Sequence, residues 1–252
     1  MKKTLYLFML LAACSSAVKA QFCNTQKGTL LYYETRDTEK ETVQTDTSCI
    51  VDVYKSGDTL IVKQENWGKR AEFGDAAEQI TFRCDNDKTT RMTLMSADYL
   101  KEMMYRYYLD GYHQANPEET DEEKMKKGFD EFMEQLHCEG EVYIPLKTDA
   151  KAGDKLPESK FLYKLKPIKM TASVSNGTVI GFETLTTEAG TFNCLMVSYQ
   201  AKYKIMFISE TTYMTEWYAE NVGLVKSEER TKRGKVMATS TLVRIEKPSI
   251  RH

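Results

Sequence analysis

The chain has 252 residues, with 35 Lys plus Arg against 37 Asp plus Glu, six cysteines and a formal net charge of −2. No apolar run approaches the ~20 residues a helix needs to cross a bilayer, so a protein built on membrane-spanning helices is excluded. An acidic chain with no Lys/Arg-rich stripe also argues against nucleic acid, whose phosphates call for clustered cations.

Met1 to Ala20 reads as an export signal: Lys2 and Lys3 form the charged start, Leu5 to Ala13 the apolar stretch, and Val18-Lys19-Ala20 a cleavage site. Its removal takes three lysines and leaves one domain, residues 21 to 252, with 32 basic residues against 37 acidic and a net charge of −5. That length suffices for a real hydrophobic core. Leu11-Ala12-Ala13-Cys14 offers a competing route, a lipobox whose cleavage would leave a lipid-modified Cys14 as an envelope anchor. Either route leaves Cys23, Cys49, Cys84, Cys138 and Cys194, an odd number. An oxidising destination favours at least one disulfide. Connectivity does not follow from sequence, and Cys23 with Cys84 is the first candidate pair.

Past the signal, short β-rich runs alternate with turn residues. Thr29 to Thr35 is a strand, and Cys49 to Tyr54 with Thr59 to Gln64 form a hairpin around Lys55-Ser56-Gly57-Asp58. Gln79 to Cys84 and Thr89 to Met95 form another, closed by Asp85-Asn86-Asp87-Lys88. Residues 97 to 138 switch to a period of about 3.6 and predict a two-helix insert. Leu100, Met103, Met104, Tyr107 and Tyr108 share one helical face after Ser96, a capping residue. After the acidic linker Asn116 to Asp121, Thr120-x-x-Glu123 is a capping box. The stripe Met125, Phe129, Phe132, Met133 and Leu136 follows it, and Gly140 is placed to stop the helix. The alternation Ile168, Met170, Ala172, Val174 runs into Asn176-Gly177, a strong hairpin signal, with Thr178 to Leu185 as the returning strand. Phe192 to Lys204, Ile205 to Tyr218, Leu224 to Arg230 and Val236 to Glu246 complete an antiparallel meander. The fold class expected is mainly β: a curved antiparallel sheet or open barrel, with the helical insert packed across one face or mouth.

The segments Glu188-Ala189-Gly190-Thr191-Phe192-Asn193-Cys194 and Glu216-Trp217-Tyr218-Ala219-Glu220-Asn221-Val222-Gly223-Leu224-Val225-Lys226-Ser227-Glu228 carry a resemblance. So do Ile144-Pro145, Gly153-Asp154-Lys155-Leu156-Pro157, and Cys84 followed by a strand ending at Met95. Together they resemble the domain-of-unknown-function family 3108, also called TapB-like. The resemblance implies an exported, β-rich envelope protein of Gram-negative bacteria without an established activity. Physically, Gly190, Phe192, Cys194, Trp217, Tyr218 and Gly223 are the residue types of two tight turns and the strands they join, and they read as architecture.

Catalytic chemistry has little to stand on. The three histidines are His113 in a predicted loop, His137 beside Cys138 at the predicted helix end, and the terminal His252, with neither a His-x-x-x-His nor a Cys-x-x-Cys spacing. Asp85-Asn86-Asp87 resembles the start of a calcium loop, but Thr90 and Ser96 stand where that loop needs Gly and Glu. No nucleophile elbow, phosphate loop or dinucleotide fingerprint occurs, and no cofactor is expected. Asp58-Thr59-Leu60 resembles a short O-glycosylation sequon, with Thr59 as acceptor. The feature most open to function is the content of 13 Met and 15 Tyr. Met103, Met104, Tyr107 and Tyr108 crowd the first predicted helix, and Met170, Met196, Met206, Met214 and Met237 recur in strands. Thioethers suit adaptable apolar pockets. The expectation is a non-enzymatic binding module for a lipid-like or amphipathic ligand, with Met103, Met104, Tyr107, Tyr108 and Met196 facing it. The alternatives are a scaffold that presents a sheet edge or the acidic helix to an envelope protein, and a hydrolase with no recognisable motif.

Overall fold

A computed structural model describes residues 21–67, 78–85, 88–96, 105, 108–109, 122–134, 137–165 and 168–248. The described residues form twelve strands: β1 (Leu30–Asp37), β2 (Thr42–Ser56), β3 (Thr59–Trp67), β4 (Glu78–Asp85), β5 (Lys88–Ser96), β6 (His137–Lys147), β7 (Ser159–Leu165), β8 (Ile168–Thr187), β9 (Gly190–Ile205), β10 (Ile208–Ala219), β11 (Gly223–Arg230) and β12 (Val236–Glu246). Each pairs antiparallel with its chain neighbours, and β1 closes onto β12 from Leu30 opposite Glu246 to Asp37 opposite Ala238. The barrel is therefore closed rather than open. Period-2 alternation reads the same in both arrangements, whereas closure pairs the two edge strands that an open sheet would leave exposed.

Strand content exceeds the expectation in two places. β6 and β7 occupy residues left without a strand assignment, and β6 begins at His137, so His137 and Cys138 start a strand rather than end a helix. Gly140 is likewise inside β6. Its φ is +77°, and an added Cβ would lie 2.2 Å from the Lys160 carbonyl oxygen. Gly140→Ala is expected to destabilise by about 1–3 kcal/mol, the usual cost of a side chain in that region of φ. Urea denaturation that finds no loss would contradict the assignment.

Asn176-Gly177 does not make a hairpin either. β8 runs unbroken from Ile168 to Thr187 with a bulge between Ser175 and Thr178, and Asn176 takes a φ of 54°. The loop before β7 explains it. Leu156 N donates to Gly177 O, Gly153 N to Val179 O and Val179 N to Asp154 O, so the Gly153–Pro157 segment occupies the bulge. A turn signal has been used to bend a long strand around a docked loop.

One helix, α1 (Glu122–Met133), is described, and it buries Met125 and Phe129. The expected first helix falls almost wholly outside the described residues, as do the signal segment with Cys14, and His113. Tyr105 and Tyr108 are helical, and their rings lie 4.8 and 5.5 Å from that of Phe129.

Arg91 on β5 and Glu216 on β10 are far apart in strand order yet approach to 3.3 Å, so their faces of the two strands look into the barrel. Three apolar clusters account for most of the packing. The first joins Phe22, Ile144, Leu146, Phe161, Leu195, Val197 and Tyr218, and another joins Cys23, Ile50, Val62, Ile80, Phe82 and Cys84. Residues 21–24 thus thread into one end of the barrel. Phe22 N donates to Thr89 Oγ1 at 2.9 Å, Thr89 Oγ1 donates to Gln21 Oε1 at 2.9 Å, and Asn221 N donates to Gln21 O at 2.6 Å. Gly223, at φ +100°, lets this segment pass: a Cβ there would stand 3.5 Å from Cys23 Cα.

Candidate functional site

Along the inward face of β9 the residues are Leu195, Val197, Tyr199, Ala201 and Tyr203. The first two are 0 % exposed, so no water-sized space borders them, and Tyr199 is buried. Beyond it Ala201 and Tyr203 are half-buried. The same change occurs on neighbouring strands. Phe161 gives way to Tyr163 on β7, Ala172 to Met170 on β8, and Tyr218 and Glu216 to Met214 on β10. Registers place these residues together: Cys138 opposite Tyr163, Tyr163 opposite Met170, Ala172 opposite Tyr203, and Met214 opposite Tyr199. The barrel is filled at the end that holds Phe22 and opens at the other into an apolar mouth.

Beneath the mouth lies a buried polar layer. Glu216 accepts from Arg91 Nη1 at 3.3 Å through Oε1 and from the Tyr218 hydroxyl at 2.7 Å through Oε2. Burial pushes the Tyr199 and Tyr218 phenols well up, with the Glu216 carboxylate adding to the effect and Arg91 opposing it. Both phenols are therefore neutral donors, and the Glu216 carboxylate is matched by the Arg91 guanidinium. A buried ion pair of this kind gains little net stability but is costly to break.

The inward residues of β7 to β9 at the mouth are uncharged, and register sets Glu229 of β11 opposite Met214. Burial raises the Tyr163 and Tyr203 phenols, so both stay neutral, and the Tyr203 hydroxyl donates to Met170 Sδ at 2.8 Å. Two phenols, two thioethers and the Cys138 thiol make a polarisable apolar surface with hydroxyls at its edge. The exposed Glu210, opposite Tyr203, is a charged residue at the rim.

The residues singled out from sequence fall in several places. Met103, Met104 and Tyr107 lie outside the described residues, and Tyr108 packs on Phe129. Met196 is opposite Trp217, on the face of β9 turned away from Leu195 and Val197, so it does not line the mouth. Trp217 and Tyr218 face opposite ways. Trp217 Nε1 donates to Glu183 at 2.9 Å and its ring lies under Lys226, while Tyr218 enters the interior. Cys194 and Phe192 pack with Trp217, and Gly190 has a φ of +140° at the turn between β8 and β9. Cys23 and Cys84 are brought together, their sulfurs 3.3 Å apart and hydrogen-bonded but not joined. Thr59 is half-buried beside the turn between β2 and β3, its hydroxyl donating to Asp85. His137 is exposed, 3.3 Å from Glu139. Among the described residues no cluster of three His, Cys, Asp or Glu has metal-binding geometry.

Sequence reading missed Arg91, Glu216, Tyr163, Ala201 and Tyr203 as a group. The alternation Tyr199-x-Ala201-x-Tyr203 places the β9 members on one face, but nothing local tells that face from the outer one.

Residues 139–242 match the family model described as DUF3108-like. The match runs from β6 into β12 and contains Ile144-Pro145, Gly153 to Pro157 and the two longer segments around Gly190 and Trp217; the Cys84 strand lies outside it. Two solved structures share the fold. A protein described as exported, with a YmcC-like fold, from Bacteroides fragilis NCTC 9343 is 17% identical, with 90% of this chain and 100% of that chain covered and a TM-score of 0.58. A protein described as a lipoprotein from Parabacteroides distasonis ATCC 8503 is 18% identical, with 90% and 99% covered and a TM-score of 0.60. No helix among the described residues is long and apolar enough to cross a membrane. The curated proteins contain no match.

Proposed function

We propose that this chain is an exported, non-enzymatic binding module that takes the apolar part of an amphipathic ligand in the barrel mouth. The observation that carries it is the step in burial along β7 to β10, from 0 % exposed at Leu195 and Val197 to half-buried at Tyr163, Met170, Ala201, Tyr203 and Met214. Such a concavity, apolar with a few polar groups at its floor and rim, is the usual form of a small-molecule site. The export signal and the descriptions of the two structural neighbours support an envelope address. The filled lower barrel limits the ligand to the mouth, so a short acyl or aromatic group fits the reading better than a deeply swallowed chain.

The test is titration with N-phenyl-1-naphthylamine, a neutral apolar probe whose fluorescence rises on burial. The wild-type chain should bind it. Ala201→Trp, which fills the mouth, should weaken binding about ten-fold or more, equivalent to about 1.4 kcal/mol of lost contact. Thr211→Trp, at an exposed position, should not. Equal binding by all three chains would sink the proposal.

A further inference from the structure

The hairpin between β9 and β10 ends in Met206-Phe207, with Ile205 and Ile208 as the closing pair. Phe207 is 93 % exposed and Ile208 77 % exposed, the two most exposed large apolar side chains described. Two-residue hairpin turns favour Asn and Gly, yet here Met206 takes a φ of 49° and the turn carries large apolar side chains to its tip.

The second observation is the charge around that tip. Register places Lys160 and Lys164 on one face of β7, Lys169 opposite Lys164 on β8, and Lys202 and Lys204 opposite Ser173 and Thr171 on the same face of β9. All five are exposed on the face opposite the lumen, and among the described residues none makes an ion pair. Glu141 stands opposite Lys160 and pairs with Arg83 at 3.5 Å, and Glu139 stands opposite Leu162, 3.3 Å from His137. The acids thus lie on the β6 side of this face, while Lys202 and Lys204 have Ser and Thr residues, and no acid, opposite them. Glu210 sits on the lumen-side face. The chain as a whole is acidic, so this cationic face is local. It escaped the sequence reading because its members are spread over three strands and meet only through register.

The geometry points to a docking surface for an anionic phospholipid bilayer, with Phe207 and Ile208 inserted among the headgroups and the five lysines against their phosphates. An exposed aromatic and aliphatic tip flanked by lysines is the combination that binds such an interface. Nucleic acid would use the lysines but leave Phe207 and Ile208 in water. The patch lies at the far end of β10 from Asn221, which holds Gln21, so it acts independently of any lipid at the N-terminal side. It also stands on different residues from the mouth reading.

Flotation of the full chain carrying Cys14→Ser, which removes any acyl contribution there, tests it with two kinds of vesicle. Binding is expected to vesicles of phosphatidylglycerol and phosphatidylcholine in equal parts, and to fall several-fold in pure phosphatidylcholine or about 0.5 M salt. Lys202→Glu with Lys204→Glu, and separately Phe207→Asp, should each reduce binding at least about ten-fold. Melting temperature and naphthylamine binding should stay unchanged, which separates this outcome from a failure of the mouth or of folding. Salt-insensitive binding, binding that survives both variants, or retention of duplex DNA in place of vesicles would each overturn the assignment.

Discussion

Arg91→Met is expected to destabilise the barrel by about 3–5 kcal/mol, because it removes one partner of a buried pair and leaves the Glu216 carboxylate inside. Glu216 is 2 % exposed, and its remaining hydrogen-bond partners are neutral phenols, Tyr218 at 2.7 Å and Tyr199. Neutral donors do not replace a guanidinium. Arg91→Met combined with Glu216→Leu should recover most of the loss, since apolar replacement of both members of a buried pair is often neutral or better. Chemical denaturation of the two single variants and the double variant reads the coupling directly. A single variant that loses under about 1 kcal/mol would mean that water reaches the carboxylate, and the layer beneath the mouth would not be dry.

Oxidation is expected to join Cys23 to Cys84 and no other pair. The two sulfurs are already 3.3 Å apart and share a hydrogen bond that either thiol can donate, so each has the other within reach. In the exchange, the thiolate of one attacks oxidised glutathione to give a mixed disulfide, and the other cysteine displaces the second glutathione as a thiol. Two cysteine protons and two electrons leave the protein. The other thiols are less prepared: burial pushes Cys194 up to about 11, and burial with the nearby Glu65 raises Cys49. The bridge would close a loop spanning 61 positions, and the chain-entropy estimate for that length is about 4 kcal/mol. Its effect is to pin residues 21–24 into the barrel end. Peptide mapping after oxidative refolding should find one Cys23–Cys84 peptide, and Cys84→Ser should lower the denaturation midpoint only under oxidising conditions. Scrambled pairs, or an equal loss under reducing conditions, would contradict the account.

How far the residues announced this structure differs from one element to the next. The strands from Phe192 to Glu246 were legible because alternation and turn glycines agree there. Closure was not, because the pairing of β1 with β12 joins residues more than two hundred positions apart. Asn176-Gly177 misled for a physical reason: the residue types that permit a hairpin also permit a bulge, and the docked Gly153–Pro157 loop decided between them. Cys23 with Cys84 was the first candidate pair and connectivity did not follow from sequence; the two thiols meet and hydrogen-bond at 3.3 Å, with no disulfide joining them. The mouth could not be read in advance: alternation puts Tyr199, Ala201 and Tyr203 on one face of β9, and it is the closure of β1 onto β12 that makes this face the inner one. The cationic face was hidden in the same way.

In the proposed function, the mouth bounded by Tyr163, Met170, Ala201, Tyr203 and Met214 holds the apolar part of a ligand. Native mass spectrometry of the chain isolated from its native host tests it most directly. The expected result is a discrete added mass that is released by organic extraction and is absent from Ala201→Trp prepared in the same way. A bare chain in every preparation, or an added mass that Ala201→Trp retains, would contradict it.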